Sequence, residues 1–225
     1  MDFAILILIA AVFLAVILIL LLLARNDSEP QDRDWPKTHW PEFKPQEIIP
    51  PERRAGIRGE ETAEELIRSS LRPEDALFTN VDIEYEGKLA ELDCVVVNKY
   101  GVFIFEVKNY SGTLYGGVKD PYWEKIHVSE AGNTYWKTVR NPIGQVKRQI
   151  YLLANYLRYY GVNVWVEGFA LVLDEENDRG RLLRIDSASK NDAGNLQEEI
   201  GRAVHTWGRN RLNREMVERI KGLLE

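Results

Sequence analysis

Apolar side chains run without interruption from Phe3 to Ala24, give way to a proline- and charge-rich stretch, and then recur in short blocks whose spacing alternates between two and three-to-four residues. The first run predicts a helix. At 1.5 Å per residue, its 22 residues make a rod of roughly 33 Å, enough to cross a hydrocarbon core of about 30 Å. A cleaved signal peptide has a basic start and a shorter apolar stretch ending in a small-x-small site. Here the chain opens Met1-Asp2 and stays apolar until Arg25, so residues 1–25 are expected to be an uncleaved single-pass anchor. Arg25, Arg33 and Lys37 follow the span, and the positive-inside tendency then puts the C-terminal side in the cytoplasm.

Residues 26–56 hold six of the nine prolines and read as a linker. Extended polyproline segments of about 3.1 Å per residue would hold the remainder well off the bilayer. From residue 57 to 225 the periodicity is that of a folded domain. Glu60 to Leu71 carries a stripe of Ala63, Leu66, Ile67 and Leu71 and predicts a helix stopped by Pro73. Ala76–Glu86, Leu89–Asn98 and Gly101–Lys108 predict three successive strands, with Lys99, Tyr100 and Gly101 turning the second into the third. Thr113–Val118 and Tyr122–Val128 predict two more. Asn141 is a good N-cap, Pro142 suits the first helical position, and Ile143, Val146, Ile150, Leu153 and Leu157 recur at helical spacing up to Gly161. Val162–Leu173 reads as a buried strand, Asp174–Gly180 as a polar turn, and two helices follow near Asn195–Val204 and Asn213–Leu224. The order implies an α/β domain, a mixed central sheet flanked by helices on both faces.

Composition narrows the chemistry. His39, His127 and His205 are dispersed and Cys94 is the single cysteine, so an internal disulfide is excluded and a closed zinc site would need many carboxylates. There is no phosphate-binding G-x-x-x-x-G-K-[ST] loop and no G-x-S-x-G elbow. A net charge of −6 argues against broad affinity for polyanions.

The informative exception lies inside the strands. Glu-x-Lys on a strand is usually a solvated edge, but Glu106 and Lys108 share one face of an apolar run, with Val102 and Ile104 behind them and Phe103, Phe105 and Val107 on the other face. Asp93 directly precedes Cys94-Val95-Val96-Val97, where an unpaired carboxylate is costly to bury. The turn brings the two strands together, so the carboxylates can meet where an octahedral, oxygen-seeking cation would sit.

These residues resemble the nuclease-related domain, NERD, a member of the PD-(D/E)XK, restriction-endonuclease-like group. The resemblance spans roughly residues 57–160. It rests on Gly59-Glu60, on Leu92-Asp93 before the valine run, on Gly101-Val102-Phe103 leading into Glu106-Val107-Lys108-Asn109-Tyr110-Ser111-Gly112, and on Asn141-Pro142-Ile143-Gly144-Gln145. It implies an αβα sandwich and a phosphodiester-cleaving site. Asp93, Glu106 and the carbonyl of Val107 would hold Mg²⁺ or Mn²⁺, with Lys108 as the catalytic ammonium, and Gln145 is a site residue by resemblance alone. Glu60 is an outer acid on this view, although an acidic run also simply suits a helix N-terminus. Asn109 and Tyr110 either touch substrate or shape the turn after the strand. The expected function is a membrane-anchored, metal-dependent nuclease acting on DNA in preference to RNA. A non-catalytic, membrane-tethered scaffold or nucleic-acid-binding module that keeps the fold is the alternative.

Overall fold

The computed structural model describes residues 50–225 except 111, 130, 175–178, 186–194 and 207. The expected membrane span and most of the linker lie outside these residues. Among the described residues no helix is long and apolar enough to cross a membrane.

Helix α1 covers Pro51–Ser70 and begins with proline in its first turn, where the missing N–H costs nothing. It therefore starts inside the stretch whose composition reads as linker. Its opening turns carry no apolar stripe, which is why periodicity detects the helix only from Glu60 onward. An antiparallel meander follows: β1 (Ala76–Tyr85), β2 (Lys88–Asn98) and β3 (Gly101–Asn109). Asn98 pairs with Gly101 across the β2–β3 turn, and the Asn98 carboxamide accepts the Tyr100 N–H at 2.8 Å.

Three short strands come next, β4 (Thr113–Tyr115), β5 (Tyr122–Val128) and β6 (Thr134–Arg140), and they form a separate antiparallel sheet. Helix α2 (Pro142–Tyr159) then crosses over to β7 (Val166–Asp174), which pairs in parallel with β3. Strand β8 (Arg179–Arg184) returns antiparallel to β7, and helices α3 (Leu196–Thr206) and α4 (Arg214–Leu224) complete the described chain. The main sheet has the order β1-β2-β3-β7-β8, a mixed five-stranded sheet. Strand β7 starts at Val166 rather than Val162, although Val162 and Val164 are buried all the same.

Both faces of the main sheet are covered. On one, Val95, Val97, Val102 and Ile104 pack under Leu152, Leu153 and Leu157 of α2 and Val217 and Ile220 of α4. On the other, Val96, Phe103, Phe105 and Leu171 meet Ala63 and Ile67 of α1 and Ile200, Ala203 and Val204 of α3. The alternation read from the sequence of β3 holds through the whole strand. A third core joins the two sheets: Trp123 packs with Ile143 and Val146 of α2 and with Ala170, Val172 and Leu183, while Leu114 and Val139 lie against it. Asn141 secures this junction. Its side chain accepts the Ile143 N–H at 2.9 Å and donates to the carbonyls of Val118 and Asp120 at 3.1 and 2.7 Å, so the cap also ties down the β4–β5 loop.

Candidate functional site

Strand β2 breaks step at Asp93. Val95 and Leu92 pack in the same core, although strict alternation would put them on opposite faces. Phe78 and Val81 do the same on β1, and between them Asn80 adopts a left-handed φ of 52°. Thr79–Cys94 and Val81–Leu92 are paired, and Asn80 and Asp93 between them are not. This kink in two neighbouring strands opens the sheet beside β3.

The β2–β3 ladder ends at Cys94–Phe105, whereas β3 continues to Asn109. The Val107 N–H, left without a strand partner, donates instead to Asp93 Oδ2 at 2.7 Å. N–H and C=O of one strand residue point to the same side. The Val107 carbonyl therefore faces the same gap as the Asp93 carboxylate.

Glu106 is fully buried on the α2 face of β3. Its Oε1 is paired with Lys108 Nζ, and its Oε2 accepts from Gln149 Nε2 at 2.5 Å. The same Gln149 nitrogen donates to the backbone carbonyl of Glu91 at 3.1 Å, so one side chain spans from α2 across both strands at the gap. Gln149 Oε1 is buried with no hydrogen-bond partner among the described residues.

The electrostatics follow from this geometry. Burial, then the nearby charge of Glu106, pushes the Asp93 carboxyl up to about 6, against the hydrogen bond from Val107. Burial disfavours a charged Lys108, but the Glu106 carboxylate outweighs it and the ammonium pKa is raised. Glu60, exposed on α1, is raised by partial burial and then by the charges of Asp93 and Glu91. The Cys94 thiol is pushed up to about 12 by burial and by Asp93, which keeps it protonated and unreactive.

Glu60 reaches this field because α1 sits close to the end of β3. A Cβ on Gly59 would lie 2.5 Å from Asn109 Cβ, and Asn109 Nδ2 donates to the Ala55 carbonyl at 2.8 Å. Asn109 is thus a clamp on α1. The Tyr110 N–H donates to Leu173 at 2.9 Å, the ring packs at the junction between the sheets, and burial raises its phenol pKa.

The structure therefore brings Asp93, Glu106, the Val107 backbone, Lys108 and Glu60 to one end of the split sheet. Gln145 is exposed on the first turn of α2, and the glutamine that reaches the carboxylates is Gln149, one turn further along. Gln149 and Glu91 escaped the sequence reading. A signal for Gln149 exists: it is three residues after Val146 and four before Leu153, a polar side chain set in an apolar stripe.

The donors suit a hard cation. They are two carboxylates that repel one another, a backbone carbonyl beyond its ladder, and the unpartnered amide oxygen of Gln149. Among the described residues no group of three or more Asp, Glu, His or Cys is arranged to hold a metal, so the carbonyl and solvent would have to complete the shell.

The domain is thus an α/β fold whose mixed sheet carries a buried Glu106, a half-buried Asp93 and Lys108 at one edge of the β2–β3 ladder. The family model of the nuclease-related domain, NERD, matches residues 55–172, more than half of the chain, and the chain belongs to that family. No curated protein and no solved structure matches it.

Proposed function

We propose that the chain is a metal-dependent nuclease of the PD-(D/E)XK type, held at a membrane by residues 1–25, with its folded domain in the cytoplasm and DNA, before RNA, as its substrate. The observation that carries this reading is the convergence of Asp93, buried Glu106 and Lys108 where β2 leaves β3. Asp93, Glu106 and the Val107 carbonyl would hold Mg²⁺ or Mn²⁺. When bound, such a cation supplies charge neutralisation at the scissile phosphate and an acidified water.

The chain's own groups do the rest. Gln149 fixes one oxygen of Glu106 and leaves the carboxylate a single orientation. Lys108 Nζ, held by the other oxygen, is placed to donate to a phosphate oxygen as negative charge accumulates there. Glu60 stands at the solvent side and can accept a proton from an incoming water, its pKa raised by burial and by the neighbouring acids.

The test uses the full-length chain in detergent against labelled DNA and RNA, with and without Mg²⁺ or Mn²⁺. Cleavage should require the cation, and Lys108→Ala should lower it by about 10²- to 10³-fold, the usual effect of removing one transition-state donor. No cleavage by the wild type would favour the scaffold reading, whereas unchanged cleavage in Lys108→Ala and Glu106→Gln would rule these two side chains out as the site.

A further inference from the structure

The three-stranded sheet has an inner face packed against α2, β7 and β8 and an outer face turned away from them. Register assigns the residues. Trp123, whose ring is buried in the inter-sheet core, pairs with Val139; two residues on, Lys125 pairs with Lys137, and His127 pairs with Tyr135. Leu114 of β4 pairs with Lys125 and also lies against that core. Lys125, Lys137 and Tyr135 are therefore on the inner face, beyond its apolar base.

Two lysines directly opposite each other on one face of an antiparallel pair repel, and the arrangement is unfavourable without a counter-charge. Lys125 finds part of its compensation above the Tyr110 ring, 5.8 Å from the centroid, and Tyr110 directly follows the strand that carries Glu106 and Lys108. The main sheet contributes a third cation. Lys108, Val172 and Arg181 lie side by side on β3, β7 and β8, and Val172 belongs to the inter-sheet core, so Arg181 shares the face of Lys108. Tyr135 is 57% exposed, a large apolar ring in water beside the lysine pair.

We propose that this inner face is the wall along which an unpaired strand of nucleic acid leaves the site: Lys125, Lys137 and Arg181 hold its phosphates and Tyr135 stacks on a base. The proposal rests on the nuclease reading of the neighbouring acids. A pair of cations on one face with an exposed aromatic beside them is what a single strand needs, whereas a paired duplex hides the base faces that Tyr135 would meet. The wall would concentrate positive charge locally in a chain whose net charge is −6.

Binding in EDTA tests the wall apart from catalysis. The full-length chain is titrated with a labelled thymidine oligonucleotide and with a duplex of equal length at several salt concentrations. Wild type should bind the single strand more tightly. The Lys125→Gln/Lys137→Gln pair should weaken that binding about tenfold or more and flatten the slope of log K against log salt by about 1.4, two phosphate contacts at about 0.7 each. Tyr135→Ala should cost about tenfold at an unchanged slope, because stacking releases no counterions. Lys99→Gln, at the far turn of β2–β3, should leave binding as it is. Unchanged affinity in the lysine pair and in Tyr135→Ala, equal loss in Lys99→Gln, preference for the duplex, or no binding by wild type would each overturn the wall. If the variants lose binding as expected and wild type still cleaves nothing with Mg²⁺ or Mn²⁺, the wall stands and the nuclease reading falls. If wild type cleaves and the lysine pair and Tyr135→Ala cleave with the same KM, the nuclease reading stands and the wall falls.

Discussion

Asp93 concentrates the conflict between folding and chemistry. Its carboxylate satisfies the Val107 N–H, yet burial and Glu106 push its pKa up to about 6 from an ordinary 3.8. A group whose folded pKa is raised holds its proton in the native state after the unfolded chain has released it. Stability without metal should then fall as pH rises from about 4 to about 6, by roughly 3 kcal/mol for a shift of about two units, and stay low above that window. Asp93→Asn keeps an acceptor for Val107 and removes the charge. In EDTA it should match wild type near pH 4 and unfold at higher temperature at pH 7.5. Parallel pH profiles of the two proteins would show that Asp93 is not strained by its surroundings. Glu106 behaves differently, since Lys108 and Gln149 already engage both its oxygens, and truncating it deprives the half-buried Lys108 ammonium of its carboxylate and leaves Gln149 Nε2 only the Glu91 carbonyl.

At the scale of elements, legibility tracks burial. Strands β2 and β3 are legible because their apolar runs match the alternation of two helix-covered faces, and α2 because cap, proline and stripe all agree. Strand β6 was not legible. It is exposed along nearly its whole length, so no burial imposes alternation on Thr134–Arg140. Strand β8 hides in the same way: its start falls in Asp174–Gly180, which reads as a polar turn, and only pairing with β7 makes it a strand. The kink at Asp93 is invisible in principle, because it depends on Asn80 in the adjacent strand and on the point at which β2 parts from β3. Helix α1 supplies a test of close packing. An added Cβ at Gly59 would meet Asn109 Cβ, an atom with no rotamer freedom, so Gly59→Ala must push α1 off the end of β3. We expect a loss of about 1–3 kcal/mol by denaturant unfolding, the usual cost of overpacking. Ala at Gly144, where nothing lies within 4 Å, should be tolerated or slightly stabilising, as Gly→Ala within a helix commonly is.

For the whole molecule, the tether and the cation each have their own readout. If residues 1–25 anchor the chain, the full-length protein should remain with membranes through high-salt and carbonate washes, and its folded domain should resist protease added to intact cells. Soluble protein beginning near Asn26 would identify a cleaved signal instead. The cation is testable without knowing the substrate. An ion that binds the folded state alone stabilises it by RT ln(1 + [L]/Kd), about 2.7 kcal/mol at a hundredfold excess over Kd. The like charges of Asp93 and Glu106 strengthen the expectation, because a cation offsets both the burial and the repulsion that lift the Asp93 pKa. Millimolar Mg²⁺ or Mn²⁺ should therefore raise the melting temperature of wild type at pH 7.5. Asp93→Asn and Glu106→Gln should each lose that increment, although their metal-free stabilities differ from wild type and from each other. Lys108→Ala should keep it, since the ammonium competes with a cation for Glu106 rather than helping to bind one. Equal increments in wild type and both carboxylate variants would mean that these side chains are not the ligands, and the split in the sheet would then need another explanation than a metal.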